Sequence, residues 1–295
     1  MAFQQLRKQL PLLVFCSLGI IWGSNFLYMK YAAKYISATQ IVFLRVVLAL
    51  IPILIYAWST KSIKKAHLRY THHFLVMSLL ATVIYYFCFV KGASLLYSGV
   101  AGALSGSAPL FTFILGLIFL KEEKCTLNKV FGLILGALGI ILLAKPFDAA
   151  VTTTTWLGIA YMLAGSLSFG ASFIYTKKYI SPLKIAGEAL VSYQLLGAAL
   201  ILGCITDFKG IMAILPHTEA ALGLFIGLSL LGTGLAYLIY YYLIDTFGAI
   251  KASSVAYIPP VVALLIGALL AQEPISLSDL LATALILFGV WLLKK

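Results

Sequence analysis

Ten long apolar stretches occupy most of this chain, and they leave few architectures open. They run over residues 10–30, 38–57, 73–91, 96–119, 128–144, 155–176, 184–205, 219–242, 249–271 and 277–293. A helix needs about 20 apolar residues to cross a bilayer, because each backbone amide and carbonyl must be bonded within the segment. The sequence is 62% hydrophobic and 10% charged, against roughly 25% charged residues in soluble domains. Continuous runs without alternation exclude a membrane β-barrel. The expected fold class is an all-α polytopic membrane protein with ten transmembrane helices, its first partner the lipid bilayer.

The net charge of +12 invites a nucleic-acid partner, but the basic residues are scattered over the junctions between stretches. With the N-terminus inside, the cytoplasmic side receives fifteen: Arg7, Lys8, Lys61, Lys64, Lys65, Arg69, Lys121, Lys124, Lys129, Lys177, Lys178, Lys184, Lys251, Lys294 and Lys295. The other side receives five, Lys30, Lys34, Lys91, Lys145 and Lys209. Such an excess in short loops orients a membrane protein, so both termini are expected in the cytoplasm of a cell with the chain in its inner membrane. The first stretch is too long for a signal peptide and lacks a small-residue cleavage site, so it is read as retained. Cys16, Cys88, Cys125 and Cys204 form no CxxC pair, which argues against disulfides and zinc.

The chain is also duplicated. Trp22-Gly23-Ser24-Asn25-Phe26-Leu27-Tyr28-Met29-Lys30 returns 147 positions later as Phe169-Gly170-Ala171-Ser172-Phe173-Ile174-Tyr175-Thr176-Lys177. At an offset of 151, Pro109 matches Pro260, Glu122 matches Glu273 and Tyr86 matches Tyr237, while Arg45 roughly matches Gln194. The expected division is 1–148 and 149–295, five helices each. An odd number of helices sends the second half into the membrane from the opposite side, which makes the halves inverted repeats. Pro109, Pro259 and Pro260 fall near the middle of the fourth and ninth stretches, where proline removes a backbone bond and bends a helix. They are expected to form kinks that serve as gating elements.

These features resemble the EamA type of the drug/metabolite transporter superfamily. The residues that carry the resemblance are Trp22-Gly23-Ser24-Asn25-Phe26 with Lys30, then Arg45, then Glu122 followed by Gly132, Gly136 and Gly139, and in the second half Glu273 and Gly289. It implies ten helices in two five-helix inverted repeats and a carrier of a small organic molecule. The second half departs at Phe169, Gln194 and the glycines of its last stretch.

Candidate binding residues follow from polar and aromatic groups placed within the stretches. Arg45, costly at midspan, either holds a substrate carboxylate or ties the second stretch to the first, for example at Asn25. Trp22 and Asn25 sit within the first stretch. Tyr85, Tyr86, Tyr237 and Tyr257 suit an aromatic-lined cavity, and Ser105 and Gln194 complete the set. Tyr240, Tyr241 and Tyr242 are expected at the cytoplasmic interface. Glu188 is expected there too, near Lys184, whereas Glu122 and Glu273 satisfy helix-end amides or pair with Lys121 and Lys124. The glycine face of the fifth stretch serves either an internal contact or a homodimer.

An intramembrane enzyme is disfavoured: His67, His72, His73 and His217 lie in loops or near span ends, and there is no HExxH, GxSxG or paired-aspartate motif. No cofactor and no metal are expected. A channel would show a charged ring or a carbonyl filter motif. The expected function is alternating-access transport of an amino acid or related amphipathic carboxylate, in the direction of export. A cofactor, a nucleotide-type metabolite or a cationic drug is the alternative.

Overall fold

A computed structural model describes residues 2–120, 126–144, 153–247, 255–256 and 258–292. The described residues form ten apolar helices: α1 (Ala2–Ala32), α2 (Ala38–Ser59), α3 (Lys65–Leu95), α4 (Ser98–Phe119), α5 (Leu127–Ala144), α6 (Thr153–Leu183), α7 (Gly187–Ile205), α8 (Thr218–Leu243), α9 (Ile258–Leu270) and α10 (Leu277–Leu292). Seven are long enough to span a membrane alone, and α5, α9 and α10 are shorter apolar helices. Residues 145–152, Glu122 and Tyr257 lie outside the described residues.

The packing shows the inverted duplication. In the self-paired contacts α2–α7, α4–α9 and α5–α10, each helix meets its counterpart in the other half. The remaining large contacts come in matched sets: α1–α9 with α6–α4, α2–α8 with α7–α3, and α1–α8 with α6–α3. A two-fold relation between α1–α5 and α6–α10 generates this pattern.

Local sequence explains the helix ends and breaks. Ser37 opens α2 with a reciprocal capping pair: Gln40 N donates to Ser37 Oγ (3.3 Å) and Ser37 N to Gln40 Oε1 (2.9 Å). Helix α4 is two helices, Ser98–Ser105 and Ala108–Phe119, with the break at Gly106–Ser107 and Pro109 in the first turn of the second, where its missing N–H costs nothing. Pro259 and Pro260 likewise fall in the first turn of α9. Helices α3 and α8 each carry a π-helical segment, Leu79–Val83 and Gly223–Leu235, so the irregularity recurs in matched helices.

The glycine face of α5 is filled from within. Gly139 meets Ile286 and Ala282 of α10, Gly136 meets Leu110 of α4, and Gly289 of α10 packs against the backbone of Gly132 and Gly136. The outward faces of α5 and α10, with Leu127, Phe131, Leu277 and Phe288 exposed, are apolar as a lipid-facing surface requires.

Candidate functional site

A narrow cavity, with about 30 Å³ of room for water, lies where the repeats meet. Its lining includes Trp22, Asn25, Phe26 and Met29 of α1, Tyr85 and Phe89 of α3, Ser105 and Ala108 of α4, and Phe169 of α6. Ala256 and Pro259 close it at the start of α9. The rings form a continuous wall. Tyr85 stacks on Phe169 (centroids 4.4 Å, 12°), Trp22 meets Phe169 edge-on (5.9 Å, 85°), and Phe89 packs on both Tyr85 (4.5 Å) and Phe26 (5.8 Å).

Five of the residues singled out in the sequence therefore line one cavity: Trp22, Asn25, Tyr85, Ser105 and Pro259. Phe26, Met29, Phe89 and Phe169 join them without having been singled out as site residues. Helical spacing would have found three: Phe26, Met29 and Phe89 each stand four residues after Trp22, Asn25 and Tyr85, on the same helix face. Phe169 is the counterpart of Trp22. Tyr257 lies outside the described residues.

Arg45, Tyr86, Gln194 and Tyr237 form a polar layer beside the cavity. Arg45 is 1% exposed. Its Nε donates to Thr233 Oγ1 (2.6 Å) and its Nη2 to Gly232 O (3.0 Å), both in the π segment of α8. Its guanidinium lies 3.6 Å over the Tyr86 ring. When the Asn25 amide is turned to satisfy both its ends, its nitrogen donates to Ile21 O (3.1 Å) and its oxygen accepts from Arg45 Nη2 (3.3 Å). Asn25 thus joins the cavity wall to the buried charge. Arg45 Nη1 is buried without a hydrogen-bond partner.

The other repeat makes the matching tie with neutral groups. Gln194 Nε2 donates to Thr82 Oγ1 (2.8 Å), and Thr82 stands at the place of Thr233 in the matching π segment. Tyr237 OH donates to Ala81 O, the counterpart of Gly232 O. A π segment leaves carbonyls off the regular ladder, and these side chains satisfy them. Tyr86 has no such role because Arg45 occupies the matching carbonyl and stacks on its ring.

Several expectations change. Tyr240 and Tyr241, expected at the cytoplasmic interface, are 3% and 6% exposed. They follow Tyr237 by three and four residues and so share its inward face; Tyr242 alone is exposed. Glu188, at the start of α7, accepts from Ser62 and Thr60 of the α2–α3 connection. Glu273 does satisfy helix-end amides, those of Ser98 and Gly99, but its cation is Lys30 at 2.6 Å. Glu122 lies outside the described residues.

Ten apolar helices in inverted repeats around an aromatic cavity define a polytopic membrane transporter. The chain belongs to the EamA-like transporter family, which matches it twice, over residues 9–145 and 156–294. It is 28% identical over 285 residues to an uncharacterized transporter of Archaeoglobus fulgidus, covering 93% of this chain and 95% of that protein. It is 24% identical to the uncharacterized transporter YoaV of Bacillus subtilis strain 168, with 94% of each covered. A 196-residue stretch is 30% identical to the uncharacterized inner membrane transporter YedA of Escherichia coli K12, covering 65% of this chain and 60% of YedA. A crystal structure with 16% sequence identity shares the fold at a TM-score of 0.64, covering 96% of this chain and 94% of that one.

Proposed function

We propose that this transporter moves an amino acid or related amphipathic carboxylate out of the cell, by alternating access of repeats 1–148 and 149–295 around the aromatic cavity. The observation that carries the reading is the unpartnered Nη1 of buried Arg45, one hydrogen bond behind the cavity-lining Asn25. A buried guanidinium nitrogen without a hydrogen-bond partner invites an anionic acceptor, and a carboxylate is its best geometric match. The aromatic walls suit the apolar part of such a cargo. The charge bias of the loops supports a reading with both termini in the cytoplasm. Export rests on the family resemblance.

A flat cation is the second reading, because every residue that lines the cavity is neutral and ring faces attract cations. The positive charge of Arg45 beside Asn25 weighs against it.

Counterflow of labelled amino acids into proteoliposomes tests the proposal, comparing the parent with Arg45→Gln. Glutamine is the suitable replacement, since Gln194 makes the equivalent tie to Thr82. Saturable exchange that disappears in the variant is expected. Undiminished exchange in Arg45→Gln removes the carboxylate role. Absence of any amino-acid exchange in the parent turns the choice to cations and cofactors.

A further inference from the structure

We propose that Lys30 and Glu273 form a gate at the end of the molecule where α1 stops and α4 starts, and that cargo passes this end only when the pair separates. The proposal rests on alternating access but not on the identity of the cargo.

Lys30 belongs to the last turn of α1, in the first repeat, and Glu273 to the connection between α9 and α10, in the second. Their ion pair, 2.6 Å long, therefore joins the two bodies that alternating access must move apart. The same carboxylate holds the start of α4: Oε2 accepts from Ser98 N (2.7 Å) and Gly99 N (3.4 Å), and Oε1 from Ser98 Oγ (2.7 Å). Lys30 Nζ also lies 5.0 Å from the Tyr97 ring.

The chain is shaped to bring Glu273 there. Gln272 takes a left-handed conformation (φ 51°), and Glu273 N donates back to Gly267 O (3.0 Å). A Cβ on Gly267 would stand 2.7 Å from Glu273 Oε2, so a side chain there would push the carboxylate aside. The adjoining helices leave no gap: Gly99 packs on Leu264 and Gly102 on Ala263.

The cavity begins directly behind this pair. Met29 precedes Lys30 and lines the cavity, and Phe26 lines it one turn further in. Capping α4 requires only the Ser98 and Gly99 amides; the bond to Lys30 adds nothing to the cap but holds α1 over the cavity. Lys30 is 24% exposed and Glu273 6%, so water reaches the lysine when the pair opens. On separation the lysine turns to water while Glu273 keeps its bonds to Ser98 and Gly99, which suits a two-state contact. The duplicated sequence carries the same residue types at the matching positions, Lys177 and Glu122.

The test needs no cargo. With the four native cysteines replaced, Ser105→Cys places one thiol in the cavity, and a membrane-impermeant maleimide is applied to each membrane face in turn. Exposed Lys34→Cys, in a separate protein, identifies the face on which Lys30 lies. Lys30→Met keeps the α4 cap and removes only the link to α1. It is expected to raise the labelling rate of Ser105→Cys from that face about tenfold, while Lys30→Arg stays at the parental rate. Should Lys30→Met not fold, Lys30→Gln replaces it. An unchanged rate, or an equal rise from both faces, overturns the gate and leaves Glu273 a helix cap. Failed amino-acid exchange would not affect this result, so the two proposals fail separately.

Discussion

Trp22 and Phe169 hold the same place in the two copies of the repeated motif, and they meet edge to face with ring centroids 5.9 Å apart. The pseudo-two-fold axis runs between them. Tyr86 and Tyr237, another matched pair, also approach each other, at 6.4 Å. The glycines beside the first pair obey the same relation. Gly23 of α1 packs on Val262 and Pro259 O of α9, and Gly170 of α6 packs on Ala108 O and Thr112 N of α4. Duplication thus placed equivalent residues on both sides of one cavity, and divergence between Trp22 and Phe169 makes its walls unequal.

Removing one wall weakens cargo binding. Trp22→Ala is expected to raise KM about tenfold, the loss of ~1.4 kcal/mol of ring contact, whereas Trp22→Phe stays within about threefold by the same reckoning. The concentration dependence of counterflow measures both. Unchanged KM in Trp22→Ala would make this ring a packing element only.

Arg45 separates a structural from a binding role. Arg45→Leu leaves Gly232 O without its donor, an unmet buried acceptor costing about 1–3 kcal/mol. Unfolding in detergent should show that loss, and Arg45→Gln should show less of it. Equal stability of both variants and the parent would mean that the α2–α8 tie contributes nothing.

The matched polar ties differ in strength. A double-mutant cycle between Gln194→Leu and Thr82→Val should give coupling near 0.6 kcal/mol, about the mean for hydrogen bonds between membrane helices. The cycle between Arg45→Leu and Thr233→Val should exceed it, because its donor is charged. Equal couplings would contradict the asymmetry.

Close glycine packing holds α5 to α10. A Cβ on Gly289 would stand 2.7 Å from Gly136 N, so Gly289→Leu forces backbone apart and should lower stability by about 1–3 kcal/mol or more. Gly203, whose nearest neighbour would be 3.8 Å away, accepts alanine without loss. Thermal unfolding of the two variants makes the comparison.

Parts of the site are legible in the sequence alone. Trp22, Asn25, Tyr85 and Ser105 stand out there as polar and aromatic residues at the centre of apolar runs. The partners of Arg45 and Gln194 do not, although Thr82 and Thr233 stand 151 apart, the offset that also relates Tyr86 to Tyr237. Lys30 and Glu273 are each repeated landmarks, but 243 residues separate them, and no spacing joins two such residues.

By itself the sequence determined the number and order of the helices, the duplication, and the inversion that follows from five helices per half. These depend on length and hydropathy, which a bilayer reads directly. Only the tertiary structure decided which face of each helix turns inward. In water an apolar stripe marks the buried side. In lipid the outer face is as apolar as the core, so the pattern that would have placed Tyr240 against Trp22, Arg45 against Thr233 and Glu273 against Lys30 is absent from the chain and arises only when the helices pack.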